Sequence, residues 1–114
     1  MNNIGFIGLG NMGKGMAMNL SKSNLKVFGY DINEKSFKEL PRDKIVKCDN
    51  IQKVVEQTEI LITMLPDGKI VNTVWQEIFK HNPKNKIIID CSTIDLKTSI
   101  EIQEHANKIN IETL

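Results

Sequence analysis

The chain has 114 residues, of which 40% are hydrophobic and 25% charged, with a formal net charge of +1 at neutral pH. That length suits one domain, and burying roughly two thirds of the unfolded surface provides a core without disulfide or metal staples. A near-neutral balance with lysines spread among acids excludes the basic footprint of a nucleic-acid binder, and the apolar runs are too short for a bilayer-spanning helix.

Cys48 and Cys91 are far apart and have no partner at metal-ligand spacing, so the expectation is two reduced thiols, no metal centre and a cytoplasmic protein. The N-terminus reads straight into a strand, without the charged and apolar regions of a signal peptide. No internal repeat or low-complexity tract interrupts the chain.

In chain order, strand and helix patterns alternate. "IGFIGL" (4–9) is an apolar run ending in glycine, as expected of a parallel strand buried on both faces. From Asn11 the spacing turns helical: Met12, Met16 and Leu20, with Ala17, form a stripe that "SKSN" ends, and the Met12–Met16 pair reads as core packing. "LKVFGYD" (25–31) is a second strand, "NEKSFKEL" (33–40) a helix stopped by Pro41, and "KIVKC" (44–48) a short edge strand. "NIQKVVEQ" (50–57) is a short helix capped by Asp49 or Asn50.

The second half is patterned more strongly. "EILITML" (59–65) is a buried strand closed by Pro66-Asp67-Gly68. Ile70, Val71, Val74, Trp75, Ile78 and Phe79 then define the apolar stripe of a helix. "HNPKN" breaks it, "KIIID" (86–90) is a further buried strand, residues 92–108 are helical, and "INIETL" (109–114) begins a last strand. Six strands alternating with five helices require parallel pairing through right-handed crossovers. The fold class is therefore α/β, a Rossmann-type doubly wound parallel sheet in three layers, and its ligand belongs beyond the carboxyl ends of the strands.

Within "NIGFIGLGNMGKGMAMNL" (3–20) the glycines admit two phosphate-binding readings. Gly8, Gly13 and Lys14 give G-x-x-x-x-G-K, most of a nucleoside-triphosphate P-loop, with the aspartate of "IIID" as a possible magnesium partner. That loop needs a hydroxyl after its lysine, and the position is Gly15. Gly8, Gly10 and Gly13 give G-x-G-x-x-G after a strand and at the start of a helix, where they permit the tight turn, pyrophosphate approach and helix-on-strand packing in that order. Asp31, 18 residues beyond Gly13 at the end of the second strand, can accept the ribose hydroxyls of adenosine and repels a 2′-phosphate, which favours NAD over NADP. The alternative is that Asp31 only starts the "DINE" turn or caps the next helix.

"FIGLGNMGKGMAMNL", "ITMLPDG" and "IIIDCSTID" together resemble, in order, three signatures of the β-hydroxyacid dehydrogenases, the family typified by 3-hydroxyisobutyrate dehydrogenase. The related 6-phosphogluconate dehydrogenases usually carry alanine at the second glycine, so Gly10 favours the smaller enzymes. The resemblance implies that Gly8, Leu9, Gly10, Asn11, Met12 and Gly13 wrap the pyrophosphate of NAD and that Asp31 holds the ribose. It implies that Leu65 and Pro66 line the cofactor cleft and that Thr93, with Ser92 beside it, lies near the nicotinamide. Lys69 takes the place of a family asparagine that contacts the cofactor, and Cys91 replaces a common serine as a small residue at a strand end. The family's substrate loop and its catalytic lysine, in an all-helical second domain, have no counterpart here.

The expectation is therefore a single NAD-binding domain spanning 1–114, truncated just before the substrate loop, with no catalytic residue of its own. His81 at a helix end and His105 on a polar helix read as surface residues, and Trp75 as core. Three functions follow: the cofactor half of an NAD-dependent 3-hydroxyacid oxidoreductase, inactive alone; a free-standing, non-catalytic dinucleotide-binding module; and, remotely, a P-loop nucleotide hydrolase. The expected partners are NAD, a small 3-hydroxy acid in the full enzyme and further copies in a homo-oligomer, with no nucleic acid or membrane.

Overall fold

Six described strands, β1 (Asn3–Ile7), β2 (Lys26–Tyr30), β3 (Ile45–Lys47), β4 (Ile60–Thr63), β5 (Ile87–Asp90) and β6 (Glu112–Thr113), form one sheet in the order β3-β2-β1-β4-β5-β6. Every neighbouring pair is parallel. The structure, a computed structural model, describes residues 3–38, 40–41, 43–81, 87–92, 100, 103–104 and 112–113.

Strand alternation sends successive side chains to opposite faces, and here both faces are covered. Ile4, Phe6, Val27 and Ile62 point into one cluster, closed by Ala17 of α1 (Asn11–Ser21) and by Phe37 and Leu40. Ile7, Phe28, Leu61 and Ile88 point into the other, closed by Val54 and Val55 of α2 (Ile51–Gln57) and by Val71, Trp75, Ile78 and Phe79 of α3 (Gly68–Lys80). Three layers result, which is why the strands read as unbroken apolar runs rather than alternating ones.

The cap of α2 is Asn50, whose Oδ1 accepts the Lys53 N–H at 2.9 Å, and α3 starts in the same way with Asp67 Oδ1 accepting from Ile70 N at 3.0 Å. The stripe of α3 is buried at Val71, Trp75, Ile78 and Phe79 and half-buried at Val74, while Ile70 is 40% exposed. Beneath that stripe Trp75 is 1% exposed, meets Phe79 edge-on at 5.8 Å, and donates from Nε1 to the buried Thr63 hydroxyl at 3.1 Å.

Two local expectations need correction. Residues 33–40 form no α-helix: only Glu34–Phe37 are helical, as a single 3₁₀ turn. Asn33 Oδ1 accepts from Lys35 N, and Ser36, Lys38 and Leu40 each bond to the carbonyl three residues back. Pro41 has no N–H to donate and disfavours helical backbone at the residue before it, so the turn is not continued into an α-helix. Met12 is not core packing either. It is 68% exposed, and the buried side of α1 runs through Gly13, Ala17 and Ser21 instead. Of the expected helix at 92–108, Ser92 is a non-helical bend, the described Ile100, Gln103 and Glu104 are helical and the rest lies outside the described residues, as does most of "HNPKN".

Thr63 accepts from Trp75 and donates to Asp90 Oδ1 at 2.8 Å, so both partners depend on one hydroxyl. Thr63→Val keeps the shape but leaves a buried indole N–H unpaired. It should cost about 1–3 kcal/mol in chemical denaturation; a loss below about 0.5 kcal/mol would show the hydroxyl to be dispensable.

At the C-terminal turn of α3, the Glu77 carboxyl is held below its ordinary value of 4.5, first by the hydrogen bond to His81 and then, against slight desolvation, by Lys80. The depressed value means this contribution is full above about pH 4.5 and lost as pH falls through the folded-state value. Glu77→Gln should flatten the acid side of the stability–pH curve; an unchanged curve would show that the pairing does not contribute.

Candidate functional site

The strand order reverses between β1 and β4, so their outgoing segments diverge, β1 into α1 on one face and β4 into α3 on the other. A crevice is forced open at that point, and here it measures about 770 Å³. Gly8, Gly10, Met12 and Gly13 line it from the β1–α1 turn, Asp31 from the end of β2, and Leu65, Pro66 and Lys69 from the β4–α3 turn.

The glycines of the turn are there for different reasons. Gly8 has φ +100°, and a Cβ on it would strike the Met64 carbonyl. On Gly13 a Cβ would strike the Gly8 carbonyl, which lies under the start of α1. The fold requires both. Gly10 has φ −69° and ψ −171°, extended backbone open to any residue, and a Cβ there would meet no atom within 4 Å. Nothing among the described residues calls for glycine at that position, and the space beside it is open. Helix α1 begins at the next residue with no side-chain cap and no acid in its first turn, so its positive end is left for an anion in the crevice.

Asp31 does start the "DINE" turn, and it also reaches the glycine loop. Its Oδ1 accepts the Asn33 N–H at 2.8 Å and starts the turn after β2, while Oδ2 accepts the Leu9 N–H at 2.6 Å and ties that turn to the glycine loop. Each carboxylate oxygen has two acceptor sites, so each retains one for a ligand hydroxyl beside these bonds. Leu9 itself is fully buried in the core cluster of Phe6 and Val27, so what it contributes near the crevice is backbone.

The P-loop reading fails on geometry. Its phosphate-wrapping loop would have to run from Gly8 to the lysine, but the chain is already helical from Asn11 and Lys14 N donates to Gly10 O. Asp90 is likewise committed: Oδ1 accepts from Thr63 Oγ1 at 2.8 Å and from Ser92 N at 3.1 Å. Ser92 Oγ accepts the Leu65 N–H at 2.6 Å, which joins the turn after β4 to the residue two beyond β5. Cys91 beside it is a free thiol, raised above its ordinary value by local desolvation and then by the Asp90 carboxylate, and so is protonated at neutral pH. That suits a small residue at a strand end. Thr93 and His105 lie outside the described residues, and His81 caps the end of α3 against Glu77 at 3.2 Å.

On the apolar side of the crevice, motif reading found Met12, Leu65 and Pro66 but missed Ile32 and Ile70. Among the described residues the large apolar side chains left exposed are Met12, Ile32, Ile70 and Ile100, and the first three line this one cleft. Ile32 is 90% exposed. It stands alone in the polar "DINE" turn, a signal that was readable as a flat contact for a planar ring; Ile70 was hidden because helical spacing assigned it to the core. Ser36, placed by the 3₁₀ turn, completes this side.

A doubly wound parallel sheet with a glycine turn under a helix N-terminus and a carboxylate at the end of the second strand defines a dinucleotide-binding domain of the Rossmann class. Comparison with known proteins agrees. Residues 3–114 match the family described as the NAD binding domain of 6-phosphogluconate dehydrogenase, and the chain belongs to that family. It is 32% identical over 112 residues to 2-(hydroxymethyl)glutarate dehydrogenase of Eubacterium barkeri, covering 96% of this chain and 37% of that protein. It is 33% identical over 109 residues to 3-hydroxyisobutyrate dehydrogenase of Pseudomonas aeruginosa, covering 93% and 37%. Among solved structures, Mycobacterium tuberculosis 3-hydroxyisobutyrate dehydrogenase with L-serine superposes with a TM-score of 0.92 at 26% identity, covering 99% of this chain and 39% of that one. The chain thus spans little more than a third of the length of these relatives, and it is an NAD-binding domain similar to theirs.

The two kinds of glycine separate in stability. Gly8→Ala should destabilise by at least about 2 kcal/mol through backbone strain and collision. Gly10→Ala should cost no more than about 1 kcal/mol, the preference of a helix cap for glycine over alanine. Thermal or denaturant unfolding of both decides it, and equal losses would refute the assignment of Gly10 to a ligand.

Proposed function

We propose that this chain is the cofactor-binding portion of a longer NAD-dependent oxidoreductase acting on a small 3-hydroxy acid, by the same chemistry as its 3-hydroxyisobutyrate dehydrogenase relatives. The observation that carries the cofactor assignment is Gly10, an unstrained glycine whose missing Cβ leaves open space at an uncapped helix N-terminus. In this reading the pyrophosphate lies against the turn from Gly8 to Gly13, with backbone of Leu9 and Asn11 and the side chain of Met12 beside it. The adenosine ribose takes the remaining acceptor sites of Asp31, and the adenine ring lies among Ile32, Ile70 and Ser36. Leu65, Pro66 and Lys69 border the other half of the dinucleotide, and Thr93 belongs to its nicotinamide end.

When bound, NAD supplies a hydride acceptor at nicotinamide C4. This chain's residues bind and orient; none is assigned a catalytic role, and the hydroxyl proton and the substrate are left to the rest of the longer protein. Carboxylate at position 31 repels a 2′-phosphate, which supports NAD over NADP. Two unpaired thiols, one buried and one exposed, suit a reducing compartment, and we place the protein in the cytoplasm as a homo-oligomer.

Titration calorimetry with NAD and NADP tests the cofactor assignment. The chain should bind NAD weakly but measurably and prefer it to NADP. Gly10→Ala should weaken NAD by about tenfold or more, equivalent to about 1.4 kcal/mol. Asp31→Ser should weaken NAD and narrow the preference. Unaltered NAD affinity in both variants would refute the proposed site.

A further inference from the structure

Asp90, Thr63, Trp75, Ser92 and Leu65 form a chain of hydrogen bonds that the functional reading above does not use. Trp75 Nε1 donates to Thr63 Oγ1 at 3.1 Å, and the Thr63 hydroxyl donates to Asp90 Oδ1 at 2.8 Å. The same oxygen accepts from Ser92 N at 3.1 Å, and Ser92 Oγ accepts from Leu65 N at 2.6 Å. Its base is rigid, because Thr63 is 0% and Trp75 1% exposed. Its top is two backbone segments at the carboxyl edge of the sheet, the turn leaving β4 and the residues leaving β5, which are also zipped by Cys91 N donating to Thr63 O at 2.8 Å.

Topology tells which part of a ligand meets that top. The glycine turn follows the middle strand β1, and Asp31 lies beyond it at the end of β2, toward the β3 edge. A dinucleotide centred on the turn with its adenosine ribose at Asp31 must extend the other way, over the ends of β4 and β5. The hydrogen-bonded chain lies wholly under that second half, far from the ribose carboxylate in strand order.

We infer that Asp90 is a positioning residue which, through Ser92, holds the Leu65–Pro66 turn in the place that receives the nicotinamide half of NAD, without contributing to the adenosine half. The inference rests on the NAD reading given above. A strand-end carboxylate sharing one oxygen between a strand hydroxyl and a loop N–H sets the spacing of the two segments. Ser92 converts that spacing into the position of the Leu65 backbone.

Saturation-transfer NMR on the 114-residue chain resolves the two ends of the ligand separately. With NAD, the wild type should show transfer to both the adenine and the nicotinamide protons. Ser92→Ala and Asp90→Ala should lose most of the nicotinamide signal and keep the adenine signal. Their affinity for NAD should fall about three- to tenfold, the worth of one hydrogen bond, while affinity for ADP changes less than about twofold. Asp90→Asn retains a carbonyl oxygen for the Thr63 and Ser92 donors and should restore the nicotinamide signal.

A purely structural role predicts something else: loss of both signals, or loss of stability with the ratio of NAD to ADP affinity unchanged, and either result overturns the inference. Adenine transfer alone in the wild type overturns it too, since nothing would then be positioned over β4 and β5. Transfer to neither ring, with no ADP binding, removes the NAD reading itself and the inference with it.

Discussion

The close approach of three backbone segments at the switch point governs the rest of this structure. The Gly8 carbonyl sits under Gly13 and the Met64 carbonyl against Gly8, so that β1, the first turn of α1 and the end of β4 converge at distances that exclude a Cβ at either glycine. Once that convergence is made, α1 must leave on one face and α3 on the other, and the crevice between them follows. The carboxyl edge is then extended by backbone bonds from Gly8 to Tyr30, Met64 to Ile7 and Cys91 to Thr63, which continue the ladder past the last strand residues. A cleft framed in this way is largely pre-formed, which keeps the ordering cost of binding low.

Around that point the polar groups are arranged in two separate sets. On the β2 side, each oxygen of Asp31 accepts one backbone N–H, from Leu9 or Asn33, so this carboxylate and the glycine turn share one frame. On the β4–β5 side, Asp90 does the equivalent for the two outgoing turns, with Thr63 and Trp75 beneath it. Both aspartates end strands, and both organise loops before any ligand arrives. Cys48, whose thiol burial pushes up, more than the opposing pull of nearby Lys53 offsets, belongs to the packing of the α2–α3 face and to neither set.

The glycine turn and the class of the fold were legible in order along the chain: G-x-G-x-x-G between strand and helix, aspartate at the end of the second strand, and apolar runs separated by helix stripes. What could not be read was the use of particular side chains whose environment is made by distant segments. Met12 fits the helix stripe as well as Met16 does, yet α1 is rotated so that Gly13, not Met12, meets the sheet. Ile70 fits the stripe of α3 but sits at its first turn, where the sheet has ended and the crevice begins. Residues 33–40 have helical composition, but between Asn33 and Pro41 the described chain makes a single 3₁₀ turn.

The sequence by itself determined the alternation of strands and helices, the parallel sheet, the glycine turn at the start of α1 and the acidic residue beside it, because periodicity, glycine spacing and strand-end position are local properties of the chain. Only the tertiary structure decided that Gly10 is unnecessary to the fold while Gly8 and Gly13 are essential to it. The difference lies in which backbone carbonyls stand opposite each Cα, and those carbonyls belong to Met64, just past the end of β4, and to Gly8, folded back beneath the helix. The joining of Thr63, Asp90 and Ser92 was settled at the same level, since residues 27 positions apart meet only when β4 and β5 pair in register.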